Sequence, residues 1–137
     1  VYLEGEAEYW YESGATRELV FKNNRFVNCS YIPAWGAAPI VACPKAAHSG
    51  GWFFHRRIAL EGNSFFCFDE RILQLRQTGE ICMTDNRYRA TRAYPPRKGT
   101  RYDIADCGCL REFHAFRTQE KDESTSAGET QARASRA

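Results

Sequence analysis

The 137-residue sequence predicts an all-β protein, a right-handed parallel β-helix of about three to four coils with loop insertions, and three observations carry that prediction. The first is a recurrence. Leu19-Val20-Phe21-Lys22-Asn23-Asn24-Arg25-Phe26 returns as Ile58-Ala59-Leu60-Glu61-Gly62-Asn63-Ser64-Phe65 and again as Ile81-Cys82-Met83-Thr84-Asp85-Asn86-Arg87-Tyr88, the starts being 39 and then 23 residues apart. Each copy reads apolar, x, apolar, polar, turn residue, Asn, x, aromatic. The second observation is the alternation at the head of each copy (Leu19 and Phe21, Ile58 and Leu60, Ile81 and Met83), which is the period of a strand. The third is the corner, where Asn23, Gly62 or Asp85 precedes Asn24, Asn63 or Asn86. Asn, Asp and Gly are the residues that tolerate a left-handed backbone.

Stacked at the strand spacing of about 4.8 Å, the three Asn side chains form one file and can hydrogen-bond along it, as amide ladders do. Phe26, Phe65 and Tyr88 then stack inside, just past the corner. A leucine-rich repeat would need a helix-length segment in each unit, and none is visible.

Taken in order, Val1 to Gly14 opens in strand alternation. If extended, Val1, Leu3, Gly5 and Ala7 face one way, and Tyr2, Glu4, Glu6 and Glu8 the other, followed by Trp10 and Glu12. Neighbours at i and i+2 lie about 6.6 Å apart, so the outer face becomes a row of carboxylates flanked by aromatics. Acids at that spacing repel one another unless a partner or raised pKa values compensate; otherwise they form a solvated strand face. The chain begins on Val1 already in strand pattern, and reads as the C-terminal coils of a longer solenoid with an uncapped N-terminal end.

After the first copy, Ser30 to Arg57 is the longest insertion. It holds a loop with Pro33, Trp35 and Gly36, a strand-like Ile40-Val41-Ala42-Cys43, and a second loop from Ala46 to Trp52. Trp35, Trp52, Phe53 and Phe54 sit in or beside these loops, either as a lid over the core edge or as a stacking platform. His48 and His55 show no partner and are expected at the surface. The second copy runs on to Ile72-Leu73-Gln74-Leu75, and Thr78-Gly79 turns into the third. Beyond a Pro95-Pro96 loop, Tyr102 to Cys107 is expected in the slot of Ile40–Cys43 and Ile72–Leu75, with a last strand over Leu110 to Phe116. Coils are thus expected over 1–117. From 118 to 137 no aromatic or large aliphatic residue occurs, so that stretch is predicted to be a disordered tail.

A net charge of +2 argues for neither nucleic acid nor membrane as partner, and no apolar run approaches the roughly 20 residues of a membrane span. The six cysteines form no CxxC pair and have no His at ligand spacing, which disfavours zinc. Cys29, Cys67 and Cys82 fall within the repeat units, in or just past the copies, where a small buried residue is expected. Cys107 and Cys109 share one strand face, and a disulfide between them would be strained.

The block Gly5-Glu6-Ala7 and Trp10-Tyr11-Glu12-Ser13-Gly14, followed by Leu19 to Phe26, resembles the right-handed β-helix family of bacterial carbohydrate-active proteins that includes the exo-acting α-1,3-galactosidases. The chain departs from the family pattern at Glu6, where Asp is usual; the added methylene displaces the carboxylate by about 1 Å. The resemblance implies an inverting glycosidase that hydrolyses terminal α-1,3-linked galactosyl residues of an oligosaccharide or polysaccharide, without a cofactor, and a secreted or periplasmic setting. One carboxylic acid protonates the leaving oxygen, and a second carboxylate about 6.5–9.5 Å away activates water. Glu6 and Glu12 are the catalytic candidates. Glu8 stands in reserve in the substrate site, and Trp10, Tyr11 and Trp35 offer sugar stacking. The alternative is a non-catalytic β-helix that binds polysaccharide or acts as a spacer. A polysaccharide lyase would want a calcium-binding acid cluster with a basic proton acceptor, and nothing from Lys22 to Arg76 gathers that way.

Overall fold

A computed structural model describes residues 1–3, 5–6, 12–30, 37–44, 52–97 and 99–118. The described residues hold strands and no helix: β1 (Tyr2–Leu3), β2 (Gly5–Glu6), β3 (Glu12–Ser13), β4 (Glu18–Lys22), β5 (Arg25–Val27), β6 (Ile40–Ala42), β7 (His55–Glu61), β8 (Ser64–Cys67), β9 (Leu73–Leu75), β10 (Thr78–Ala90), β11 (Tyr102–Ile104) and β12 (Cys109–Thr118). The fold is all-β with parallel sheets.

The recurring pattern stacks copy on copy. Leu19 pairs with Ile58 and Ile58 with Ile81, all in parallel register, and past the corner Phe26 pairs with Phe65 and Phe65 with Tyr88. Each corner turns on a left-handed residue: Asn23 at φ 55°, Gly62 at 63° and Asp85 at 50°. The amide file follows. Asn63 Oδ1 accepts from the backbone N–H and the side-chain amide of Asn24, at 2.9 and 3.2 Å. Asn86 Oδ1 accepts the equivalent pair from Asn63, both at 3.0 Å. The remaining Nδ2 protons of Asn63 and Asn86 go to the carbonyls of Phe21 and Leu60, three residues before the preceding Asn. Asn63 and Asn86 are buried, and these bonds satisfy amides that burial would otherwise penalise. The aromatic file is present as well. Phe26 and Phe65 stack at 4.7 Å, while buried Tyr88 meets the Arg101 guanidinium at 4.7 Å over its ring.

A second sheet runs β1-β6-β9-β11, also parallel. Ile40, Leu73 and Tyr102 fall in one column, so Tyr102–Ile104 takes the slot expected of it. Ile40, Ala42, Leu73 and Leu75 of this sheet join Ile58, Leu60, Phe65, Ile81 and Met83 of the other in one core. β12 lies on β10 from Glu80 to Tyr88 and carries an irregularity after Thr84, with His114 at φ 48°. Phe116, not Asn, stands opposite Asn86, so the amide file ends there.

The opening segment departs from the single extended strand expected of it. Only β1 joins the parallel column; β2 instead pairs antiparallel with β3, Gly5 facing Ser13 and Glu6 facing Glu12. Strand backbone needs hydrogen-bond partners, and a segment that returns on itself within a few residues supplies them at low loop-closure cost. Of the cysteines expected inside, Cys67 is buried, but Cys29 and Cys82 are only half-buried, because Cys82 alternates outward between Ile81 and Met83. All six are free thiols, and burial pushes Cys67 up to about 12. Apart from Thr118, which ends β12, the predicted tail lies outside the described residues.

Candidate functional site

The β2–β3 ribbon sets Glu6 and Glu12 directly across from one another. Opposed Cα atoms in an antiparallel pair are about 4.5–5.5 Å apart. Glu8, Trp10, Tyr11 and Trp35 lie outside the described residues, as do Glu4 and His48.

Three residues beyond Glu12 the chain enters the wall of a pocket of about 540 Å³. Its lining comes from three distant stretches: Ala15, Thr16 and Arg17; Trp52, Phe53, Phe54 and Arg56; and Gly79. Three extended residues span at most about 11 Å, which bounds the Cα distance from Glu12 to Ala15. Two hydrogen bonds hold the wall together. The Arg56 N–H donates to the Thr16 carbonyl at 2.9 Å, and the Thr16 N–H donates to His55 Nδ1 at 3.4 Å.

Phe53 anchors the aromatic side of the pocket because the backbone beneath it has no side chains. A Cβ on Gly108 would fall 3.1 Å from the Phe53 ring and 2.1 Å from the Gly79 carbonyl oxygen. A Cβ on Gly79 would fall 3.3 Å from the same ring. With Phe53 fixed, its neighbour Trp52 is held outward and remains 65% exposed.

His55, expected at the surface, is instead 1% exposed, and its ring meets Phe54 edge-on at 4.9 Å. It aligns with Thr78 in the column that precedes the Ile58–Ile81 register, which puts it at a buried corner rather than on a loop. Nε2 has no hydrogen-bond partner, and burial pulls the imidazole below its usual pKa, so His55 is a neutral structural residue. Among the described residues no three His, Cys, Asp or Glu side chains gather where they could hold a metal ion.

The aromatic half of the pocket was legible as Trp52-Phe53-Phe54. Its basic half was not, because Arg17 and Arg56 meet only through the parallel register of β4 on β7.

The chain is similar to bacterial α-1,3-galactosidases. It is 30% identical to α-1,3-galactosidase A of Bacteroides fragilis (strain YCH46) over 110 residues, covering 80% of this chain and 18% of that protein. With α-1,3-galactosidase A of Shewanella woodyi the identity is 33% over 89 residues, 65% of this chain and 14% of the relative. With α-1,3-galactosidase B of Parabacteroides distasonis it is 23% over 104 residues, 69% of this chain and 16% of the relative. The chain therefore spans less than a fifth of the length of the relatives it matches. No family model matches it.

Proposed function

We propose that the chain is part of a right-handed parallel β-helix glycoside hydrolase that removes terminal α-1,3-linked galactosyl residues with inversion, Glu6 and Glu12 forming the acid–base pair. The observation that carries this reading is the Glu6–Glu12 register within a stretch of sequence similar to α-1,3-galactosidases. One carboxylic acid protonates the glycosidic oxygen as the bond breaks. The other takes a proton from the water that attacks the opposite face of C1, and the carboxyl groups must then stand about 6.5–9.5 Å apart. Glu8, Trp10 and Tyr11, close in sequence to the pair, and Trp35 are the proposed sugar contacts, aromatic faces stacking on the galactose ring.

The test is product stereochemistry. The full-length protein, mixed with an α-1,3-galactosyl disaccharide and followed by proton NMR, releases β-galactose first, with the α anomer growing in later as mutarotation brings the equilibrium mixture. First release of the α anomer would refute inversion, and no release of galactose would refute the hydrolase.

A non-catalytic saccharide-binding module is the second reading, favoured by the outward Trp52 ring, which suits binding without chemistry. Under it Glu12→Gln leaves saccharide affinity unchanged between pH 5 and 8, whereas the hydrolase reading makes turnover vanish with that substitution.

A further inference from the structure

The geometry points to the pocket between Arg17, Trp52 and Arg56 as a saccharide subsite for a sugar bearing an anionic substituent, a sulfate ester or a carboxylate. This goes beyond the galactosidase reading and does not depend on it, since it concerns binding at a place distinct from the Glu6–Glu12 pair. Three observations support it. The volume of about 540 Å³ suits one or two sugar rings rather than a water cluster. The exposed Trp52 ring, next in the chain to Phe53, is a platform for the apolar face of a pyranose.

The third observation is charge. Some guanidiniums elsewhere meet carboxylates, as Arg57 meets Glu18 and Glu80, Arg76 meets Asp103, Arg97 meets Asp69 and Arg111 meets Glu80, while Arg25 and Arg101 lie over aromatic rings. Arg17 and Arg56 both line the pocket, and among the described residues neither has a carboxylate partner and no acidic side chain joins the lining. Both are exposed. Two guanidiniums flanking an aromatic platform leave a positive field that a sulfate or carboxylate neutralises through charge-assisted bonds, Arg being suited to both by its planar fork.

Calorimetric titration of the full-length protein with methyl galactoside, its sulfate ester and methyl galacturonide tests this. The sulfate ester, the galacturonide or both should bind about tenfold more tightly than the neutral sugar. That advantage should shrink as salt is raised. Preference for one anion over the other assigns the natural substituent. The double variant Arg17→Gln, Arg56→Gln should erase the advantage. Trp52→Ala should weaken all three sugars together, an effect that loss of charge would not produce. Equal affinity for charged and neutral sugars would overturn the proposal, and so would an advantage that survives the double substitution or a protein that binds none of the three. Galactose release from a neutral substrate plays no part in this test, so its failure leaves the hydrolase reading intact.

Discussion

The layers built on Asn63 and on Asn24 follow one sequence pattern and end in different states. Around Asn63, Ile58, Leu60 and Phe65 are completely buried, with neighbours on both sides of the stack. Around Asn24, Leu19, Phe21 and Phe26 are only half-buried, and Val20 and Val27 are exposed, because among the described residues β4 and β5 have a partner strand on one side only. The far end shows the same difference. Ile81 and Met83 are sealed, while Leu110 and Phe113 in β12 are 43% and 64% exposed. Identical local chemistry is therefore worth more in the middle of a stack than at its edge, as nearest-neighbour stabilisation of stacked units requires.

Substitutions that compare middle with end test this, and the largest effect is expected at the aromatic file. Phe65→Ala should cost about 3–5 kcal/mol in chemical denaturation, and Phe26→Ala about half as much; equal costs would break the comparison. The amide file comes next. Asn63→Ala strands the Phe21 carbonyl and the Asn24 donors in a buried corner and should cost about 3–4 kcal/mol, against about 1 kcal/mol for Asn24→Ala.

Smaller again is Gly62→Ala, which forces an L-residue to φ 63° and sets its Cβ 2.5 Å from Asn23 Oδ1, for about 1–2 kcal/mol. His55 adds a pH dependence at the opposite end of the same strand, β7. Its pKa is lowered in the fold by burial, so below about pH 6.5 the unfolded chain takes up a proton that the folded chain resists. Melting temperature should fall as pH drops from 7 to 5, and His55→Gln should flatten that slope; an unchanged slope would place the titration elsewhere. The smallest effect belongs to the outer ladder of Glu18, Arg57 and Glu80, where Arg57→Gln should cost under about 1 kcal/mol and less in high salt.

The stacked units were readable because their chemistry is local: a left-handed corner calls for Asn, Asp or Gly, and a buried amide calls for its copy one strand away. The Tyr102–Ile104 slot was readable for the same reason. What escaped was whatever depends on distant pairing. Alternation from Val1 to Ala7 suits a parallel column and an antiparallel ribbon equally, so nothing in it separates β1 from β2. The burial of His55 comes from its column with Thr78, three residues before the pattern begins at Ile58 and Ile81. The pocket unites Arg17, Trp52 and Gly79, which no short window of sequence contains.

The most direct test of the functional account is turnover of an α-1,3-galactosyl substrate by the full-length protein carrying Glu6→Gln, Glu12→Gln or both. Two carboxylates that act as one unit give non-additive losses: each single variant should fall by about a thousandfold or more, and the double variant should be little worse than either. Undiminished turnover in either single variant would contradict the pairing of Glu6 with Glu12 as acid and base.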